Sequence, residues 1–170
     1  MLTRRGSPGA WWAELDYRIC LVGFLVLFGC AAETEDDAQP APLDPIEHEC
    51  LALAIYWEAK SEPQAGLEAV GHVVMNRLRD ERFPDTICAV TKQGGERRGC
   101  QFSWYCDGRS DVPREADNWR RAQDAASALM RDELDDNTDG ALFFHARRLD
   151  VPWRVQREQT AEVGDHIFYR

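Results

Sequence analysis

Chemistry is first suggested by one carboxylate, Glu58. It lies near the C-terminal end of a predicted helix whose other positions are largely Leu, Ala, Ile and aromatic. The negative end of the helix dipole and partial burial both favour the protonated carboxyl. A carboxylic acid that keeps its proton near neutral pH is what glycosidic bond cleavage asks of a general acid. From position alone, the simpler account is an amphipathic helix that ends in a solvated glutamate. Glu62 follows four residues later, but a helix start signal at Ser61 separates the two, so this spacing does not specify a paired-carboxylate glycosidase.

A second cluster is Gln101, Phe102, Ser103, Trp104 and Tyr105, bracketed by Cys100 and Cys106. Its polar side chains suit sugar hydroxyl and acetamido groups, and its aromatic faces suit stacking on sugar rings. A structural loop closed by a disulfide, with Trp104 buried, fits the same residues equally well. His145 and His166 fall on predicted strands, where a lone histidine is more often a satisfied structural residue than a catalyst. His-Glu-x-x-His, a phosphate-binding glycine loop and Gly-x-Ser-x-Gly are all absent from the sequence. Arg97 and Arg98 read as solvated surface charge.

The elements that must position these residues are legible in outline. Asp44, Pro45 and Glu47 form an N-cap, a first-turn proline and a capping-box acid. They open a helix over 45–60 with Ile46, Cys50, Leu53, Ala54 and Trp57 on one face. Ser61 and Gln64 repeat the start signal for a second helix, whose apolar stripe is Leu67, Val70, Gly71, Val74 and Leu78. Gly66 and Gly71 each cost roughly 1 kcal/mol in a helix interior relative to Ala, which close helix–helix packing explains. Residues 82–113 lose regular patterning. A third helix follows over 116–131 with Trp119, Ala122, Ala126 and Leu129 inward. Residues 141–145 and 166–169 are short, aromatic and strand-like, joined by a turn-rich segment. The prediction is an α+β domain, mostly helical, with a small antiparallel sheet near the C-terminus.

The N-terminus reads as an export signal. Arg4, Arg5 and Arg18 precede an apolar run over 19–29, far short of the roughly 20 residues that span a membrane. Leu27, Phe28, Gly29 and Cys30 resemble a lipoprotein box, with Cys30 lipidated. Gly29 and Ala31 also suit ordinary signal cleavage, and an uncleaved apolar anchor is the third reading. The expected organisation is a signal peptide over 1–29, an acidic flexible tether over 30–44 and a catalytic domain over 45–170.

Cysteine usage agrees with export to the periplasm or cell surface. Of six cysteines, four remain once Cys20 leaves with the signal and Cys30 is removed or lipidated. An even set in an exported chain reads as two disulfides. Cys100 and Cys106 flank one short loop and pair locally, leaving Cys50 for Cys88. Zinc binding is disfavoured by the lack of a Cys-x-x-Cys spacing. The net charge of −10, from 30 acidic and 20 basic residues, argues against nucleic acid as a partner.

Taken in order, these residues resemble the cell wall hydrolases related to the spore cortex-lytic enzymes. The matching pieces are Cys50, Leu51 and Ala52; Ile55, Tyr56, Trp57, Glu58 and Ala59; and Glu62, Pro63 and Gly66. They continue with Val74, Asn76 and Arg77; Phe83 and Pro84; Ile87 and Cys88; and Gln101 to Trp104. Gly140, Phe144, His145, Pro152, Trp153, Gly164, His166, Phe168 and Tyr169 complete the series, which spans residues 50–170.

The resemblance implies a lysozyme-like domain acting as a lytic transglycosylase on peptidoglycan glycan strands. Such an enzyme cuts between N-acetylmuramic acid and N-acetylglucosamine and leaves a 1,6-anhydro end. The family's catalytic glutamate falls on Glu58, which acts first as acid and then as base. The candidate substrate-binding residues are Gln101, Ser103, Trp104 and His145, with no metal and no cofactor. Trp57 stands where His is frequent, and Lys60 and Ser61 replace a common Arg-Gly. Two rivals remain. One is a zinc amidase using His72, His145, His166 and Glu58. The other is a peptidoglycan-binding module without catalysis.

Overall fold

Asp44 opens the first helix, accepting the backbone N–H of Ile46 at 2.8 Å and of Glu47 at 3.3 Å through Oδ1. The structure, a computed structural model, describes residues 41–94 and 99–170. The expected signal peptide, Cys30 and the tether up to residue 40 lie outside these residues, as do Arg97 and Arg98. Helix α1 runs Pro45–Ala59, α2 Gln64–Leu78, α3 Ile87–Thr91 and α4 Ala116–Met130. Strands β1 (Phe143–Ala146), β2 (Gln159–Val163) and β3 (His166–Tyr169) form one antiparallel sheet in the order β1-β3-β2. Short 3-10 turns occupy Ser103–Cys106 and Pro152–Gln156.

Helix α1 is central, packing against α2, α3 and α4. Its apolar surface is therefore wider than a single stripe, and Leu51, Ala52, Ala54, Ile55 and Tyr56 are fully buried. Ile46, expected inward, is instead exposed in the first turn, before the neighbouring helices close around α1. Glu47 does not complete a capping box. Its Oε2 accepts the Cys88 N–H at 3.1 Å and so serves α3.

The start of α2 lies beyond the expected cap. Proline disfavours helical geometry in the residue before it, here Glu62, so the helix begins after Pro63 and Ser61 is too early to cap it. The Pro63 carbonyl accepts the Gly66 N–H, and Gln64 pairs forward with Glu68 rather than reaching back. Gly71 is the close-packing glycine: a methyl there would overlap Leu129 of α4 and lie 3.0 Å from Ile55 of α1. Gly66 has a different neighbour, since a methyl there would meet Glu62 Cβ at 2.7 Å.

Two elements lie in stretches that read as irregular. Helix α3 has five residues, too few to show a period, and is capped by Thr86 Oγ1 on the Ala89 N–H at 3.1 Å. Strand β2 is a largely polar edge strand with an irregularity between Gln159 and Ala161, so no alternation shows in its sequence. Strand β1 starts at Phe143, two residues later than expected. The sheet packs on α2 through Phe168, Ala69, Val73 and Ala141, all fully buried. Cys50 is joined to Cys88, tying α1 to α3, and Cys100 to Cys106, closing the loop that carries the first 3-10 turn. Among the described residues no helix is long and apolar enough to cross a membrane.

Candidate active site

Glu58 sits in the last turn of α1, half-buried, with no basic residue in that turn. Burial pushes its carboxyl up to about 7, against the opposing pull of the Arg77 guanidinium. Desolvation therefore outweighs the charge partner. Arg77 itself is buried and pushed down to about 10 by the same cause, which leaves it charged at neutral pH. Its Nε donates to the Leu142 carbonyl at 2.8 Å. The guanidinium lies 5.3, 5.4 and 5.8 Å from the ring centres of Phe83, Phe102 and Phe143. An aromatic cage of this kind supports a buried cation without neutralising it.

Two clefts meet at Glu58. The first, about 670 Å³, is walled by residues that include Arg77, Gln101, Trp153 and His166. The second, about 610 Å³, is bounded by residues including Tyr56, Lys60, Trp104 and Glu115. Trp57, Glu58 and Ser103 line both. Among the described residues lining the first cleft, Glu58 is the one carboxylate. The end of α1 is fixed from the second side. The Tyr56 hydroxyl donates to Glu115 at 2.9 Å and accepts from the Arg114 N–H, while Trp57 Nε1 donates to the Asp111 carbonyl at 3.2 Å. Lys60 pairs with Glu115 at 3.0 Å.

The structure brings Gln101 and Ser103 to the cleft beside Glu58. Trp104 reaches only the second cleft and is 8% exposed within the core, which matches the structural-loop alternative better than an open stacking face. His145 lines the first cleft, but both ring nitrogens are in use. Nδ1 donates to the Ala146 carbonyl at 2.9 Å and Nε2 accepts from the Tyr169 hydroxyl at 3.0 Å, the tautomer those partners require. The ring stacks on Tyr169 and meets Trp153 edge-on, so it braces the cleft wall.

Glu62 lines neither cleft. Its side chain fills the space against Gly66 and Gly164, and its Oε2 accepts the Asp165 N–H at 2.9 Å. Gly164, at φ +57°, makes the β2–β3 turn that this carboxylate holds. Oε1 lies 3.8 Å from His166 Nδ1. Burial lowers the His166 pKa, with Glu62 opposing, so the ring is neutral at pH 7.

His72 is buried in α2 beside a separate hollow lined also by Arg79, Asp132 and Asp136. Of the set His72, His145, His166 and Glu58, the last three line the first cleft and His72 lies apart from them. Among the described residues no three His, Cys, Asp or Glu side chains are placed to share an ion.

Sequence reasoning gave no role to Arg77, Arg148 or Arg157, all of which line the first cleft. A signal existed for Arg77. It stands seven residues after Val70 on the apolar stripe of α2, where a guanidinium has to be accounted for.

The cell wall hydrolase family profile matches residues 61–169, a span that begins three residues after Glu58. The spore cortex-lytic enzyme of Oceanobacillus iheyensis is 31% identical over 121 residues, covering 69% of this chain and 39% of that protein. The spore cortex-lytic enzyme of Bacillus subtilis is 27% identical, with 69% and 35% covered. The chain spans less than two-fifths of the length of these relatives. Among solved structures, the catalytic domain of the germination-specific lytic transglycosylase SleB from Bacillus anthracis is 28% identical with a TM-score of 0.61. That match covers 78% of this chain and 100% of the other. The catalytic domain of the Bacillus cereus SleB protein shares the fold at 24% identity and a TM-score of 0.57, with 77% and 94% covered. With the family profile matching well over half of its length, and its α+β fold shared with the SleB catalytic domains, the chain belongs to the cell wall hydrolase family.

Proposed function

We propose that residues 45–170 degrade peptidoglycan as a lytic transglycosylase, cleaving the bond from N-acetylmuramic acid to N-acetylglucosamine with Glu58 as acid and then base. The observation that carries this reading is a carboxyl at the junction of two clefts, held by burial at a pKa of about 7. A glycan strand needs room on both sides of the scissile bond. A group that both gives and takes a proton works best with its pKa near the operating pH.

In the first step protonated Glu58 gives its proton to the glycosidic oxygen as the bond from muramic C1 breaks. The charge left on Glu58 is then offset by Arg77, whose field favours the carboxylate. In the second step Glu58 takes the proton of the muramic C6 hydroxyl while O6 bonds to C1. The anhydro ring closes, no water is consumed and Glu58 ends protonated. This sequence needs no second carboxylate, in keeping with the described lining of the first cleft.

The likeness to a domain described as that of a lytic transglycosylase supports the same reading. Export follows from it, because the substrate lies outside the cytoplasm, and two disulfides suit an oxidising compartment. We assign the signal peptide to 1–29 and the tether, with a lipidated Cys30, to 30–44. Mass analysis of soluble products from purified peptidoglycan tests the reaction. Anhydro-muramic ends, lighter by one water than hydrolytic ends, are expected. Reducing muramic ends would instead indicate a lysozyme-type hydrolase, and free stem peptides an amidase.

A further inference from the structure

The first cleft is basic in a chain whose net charge is −10. Among the described residues three arginines line it, against Glu58 as the one carboxylate. Arg77 is committed to Leu142 and to its aromatic cage. The other two are Arg148, exposed just beyond β1, and Arg157, after the second 3-10 turn. Among the described residues neither makes an ion pair, whereas their sequence neighbours do: Arg147 pairs with Glu162 and Arg154 with Asp150. Arg148 and Arg157 thus bring positive charge to the cleft without an internal counter-charge among the described residues.

Arg157 is also held in place. Its guanidinium carbon lies 3.9 Å from the centre of the Phe143 ring and 5.1 Å from that of Trp153. Its Nη1 donates to the Trp153 carbonyl at 3.5 Å, and its buried Nε has no hydrogen-bond partner among the described residues. A planar guanidinium fixed against aromatic faces is pre-organised for a planar, doubly accepting anion, and a carboxylate has that shape.

We infer that Arg148 and Arg157 bind a carboxylate of the substrate, so that the first cleft selects a carboxylate-bearing muramyl unit over a neutral sugar. This rests on reading the cleft as a glycan groove, but not on which bond is cut or how. The carboxylate has two possible sources. A muramic residue stripped of its stem peptide carries a free lactyl carboxylate, whereas a substituted one carries the carboxylates of the peptide.

The test is calorimetric titration of the full chain carrying E58Q, which binds without turnover. Three soluble oligosaccharides of equal length serve as probes: N-acetylglucosamine only, alternating with peptide-free muramic acid, and alternating with peptide-bearing muramic acid. At least one muramyl probe should bind about tenfold or more tightly than the neutral one, a step of about 1.4 kcal/mol, and the advantage should shrink in high salt. Adding R148Q or R157Q should remove most of that advantage while leaving the neutral probe's affinity unchanged, and R157K should retain part of it. Preference for the stripped probe assigns the lactyl carboxylate, and preference for the peptide-bearing probe assigns the stem. Melting curves control for folding. If R157Q melts early, R148Q carries the test, because that side chain is exposed. Equal affinity for all three probes, or a preference untouched by R148Q, overturns this inference alone. Binding of none of the three overturns the glycan-groove reading with it.

Discussion

A carboxyl whose proton affinity is raised by burial influences stability as well as chemistry. With Glu58 at about 7 when folded and 4.5 as its ordinary value, the folded protein binds more protons than the unfolded chain between those limits. The favourable contribution is fully present below pH 4.5 and is lost as pH rises through about 7. Glu58→Gln, neutral at every pH, should therefore melt higher than wild type at pH 8, with the gap narrowing towards pH 4. Melting curves at both pH values check this, and a gap independent of pH would contradict it. Activity follows the same titration in the same direction. In the proposed mechanism the bond-breaking step needs protonated Glu58, so kcat/KM should fall about tenfold per pH unit once pH exceeds about 7. At this scale the position of Glu58 in the sequence was equally that of a solvated helix end, and its burial where two clefts meet became visible only once the elements were assembled. The sequence was silent about Arg148 and Arg157, whose surface-like sequence context hides the aromatic wall they stand on. Trp104 could not be resolved from composition, since a sugar platform and a core anchor use the same side chain.

Helix starts and apolar stripes made α1, α2 and α4 legible, while α3 and β2 were too short or too polar to register. Pro63 decided the start of α2, and its effect on Glu62 overrode the capping signal at Ser61. Glu62 then became a clamp on the β2–β3 turn, a long-range role that no local pattern reveals. Glu62→Ala should destabilise the fold by about 1–3 kcal/mol through the lost partner of a backbone N–H, with activity per folded molecule reduced far less than by Glu58→Gln. Denaturant titration with activity normalised to folded protein separates the two effects. The disulfides offer a second prediction at this scale. Cys50 and Cys88 are 38 residues apart, and Cys100 and Cys106 only 6. Loop-closure entropy then assigns about 4 kcal/mol to the first and about 2 kcal/mol to the second. Replacing Cys50 and Cys88 together should lower the denaturation midpoint more than replacing Cys100 and Cys106. The reverse order would mean that closing the aromatic loop matters beyond chain entropy.

Across the whole molecule, an acidic chain carries a cleft lined by three arginines among the described residues, and Glu58, the proposed acid and base, stands where that cleft meets a second one. The α+β class was legible because helices precede strands in the sequence. The paired clefts were not, because they arise where the end of α1, the loop after Cys100 and the β1 region converge from distant parts of the chain. If Cys30 is the attachment point, Cys30→Ala should move the protein from the membrane fraction to the soluble periplasmic fraction. Unchanged fractionation would count against that anchor without touching the active site. The most direct test of the account is the rate at which wild type and Glu58→Gln release soluble fragments from purified peptidoglycan, with folding verified for both. General acid–base catalysis contributes about 10²–10⁴-fold, so the substituted protein should be slower by at least that order. A normally folded Glu58→Gln protein that digests peptidoglycan at the wild-type rate would contradict the account.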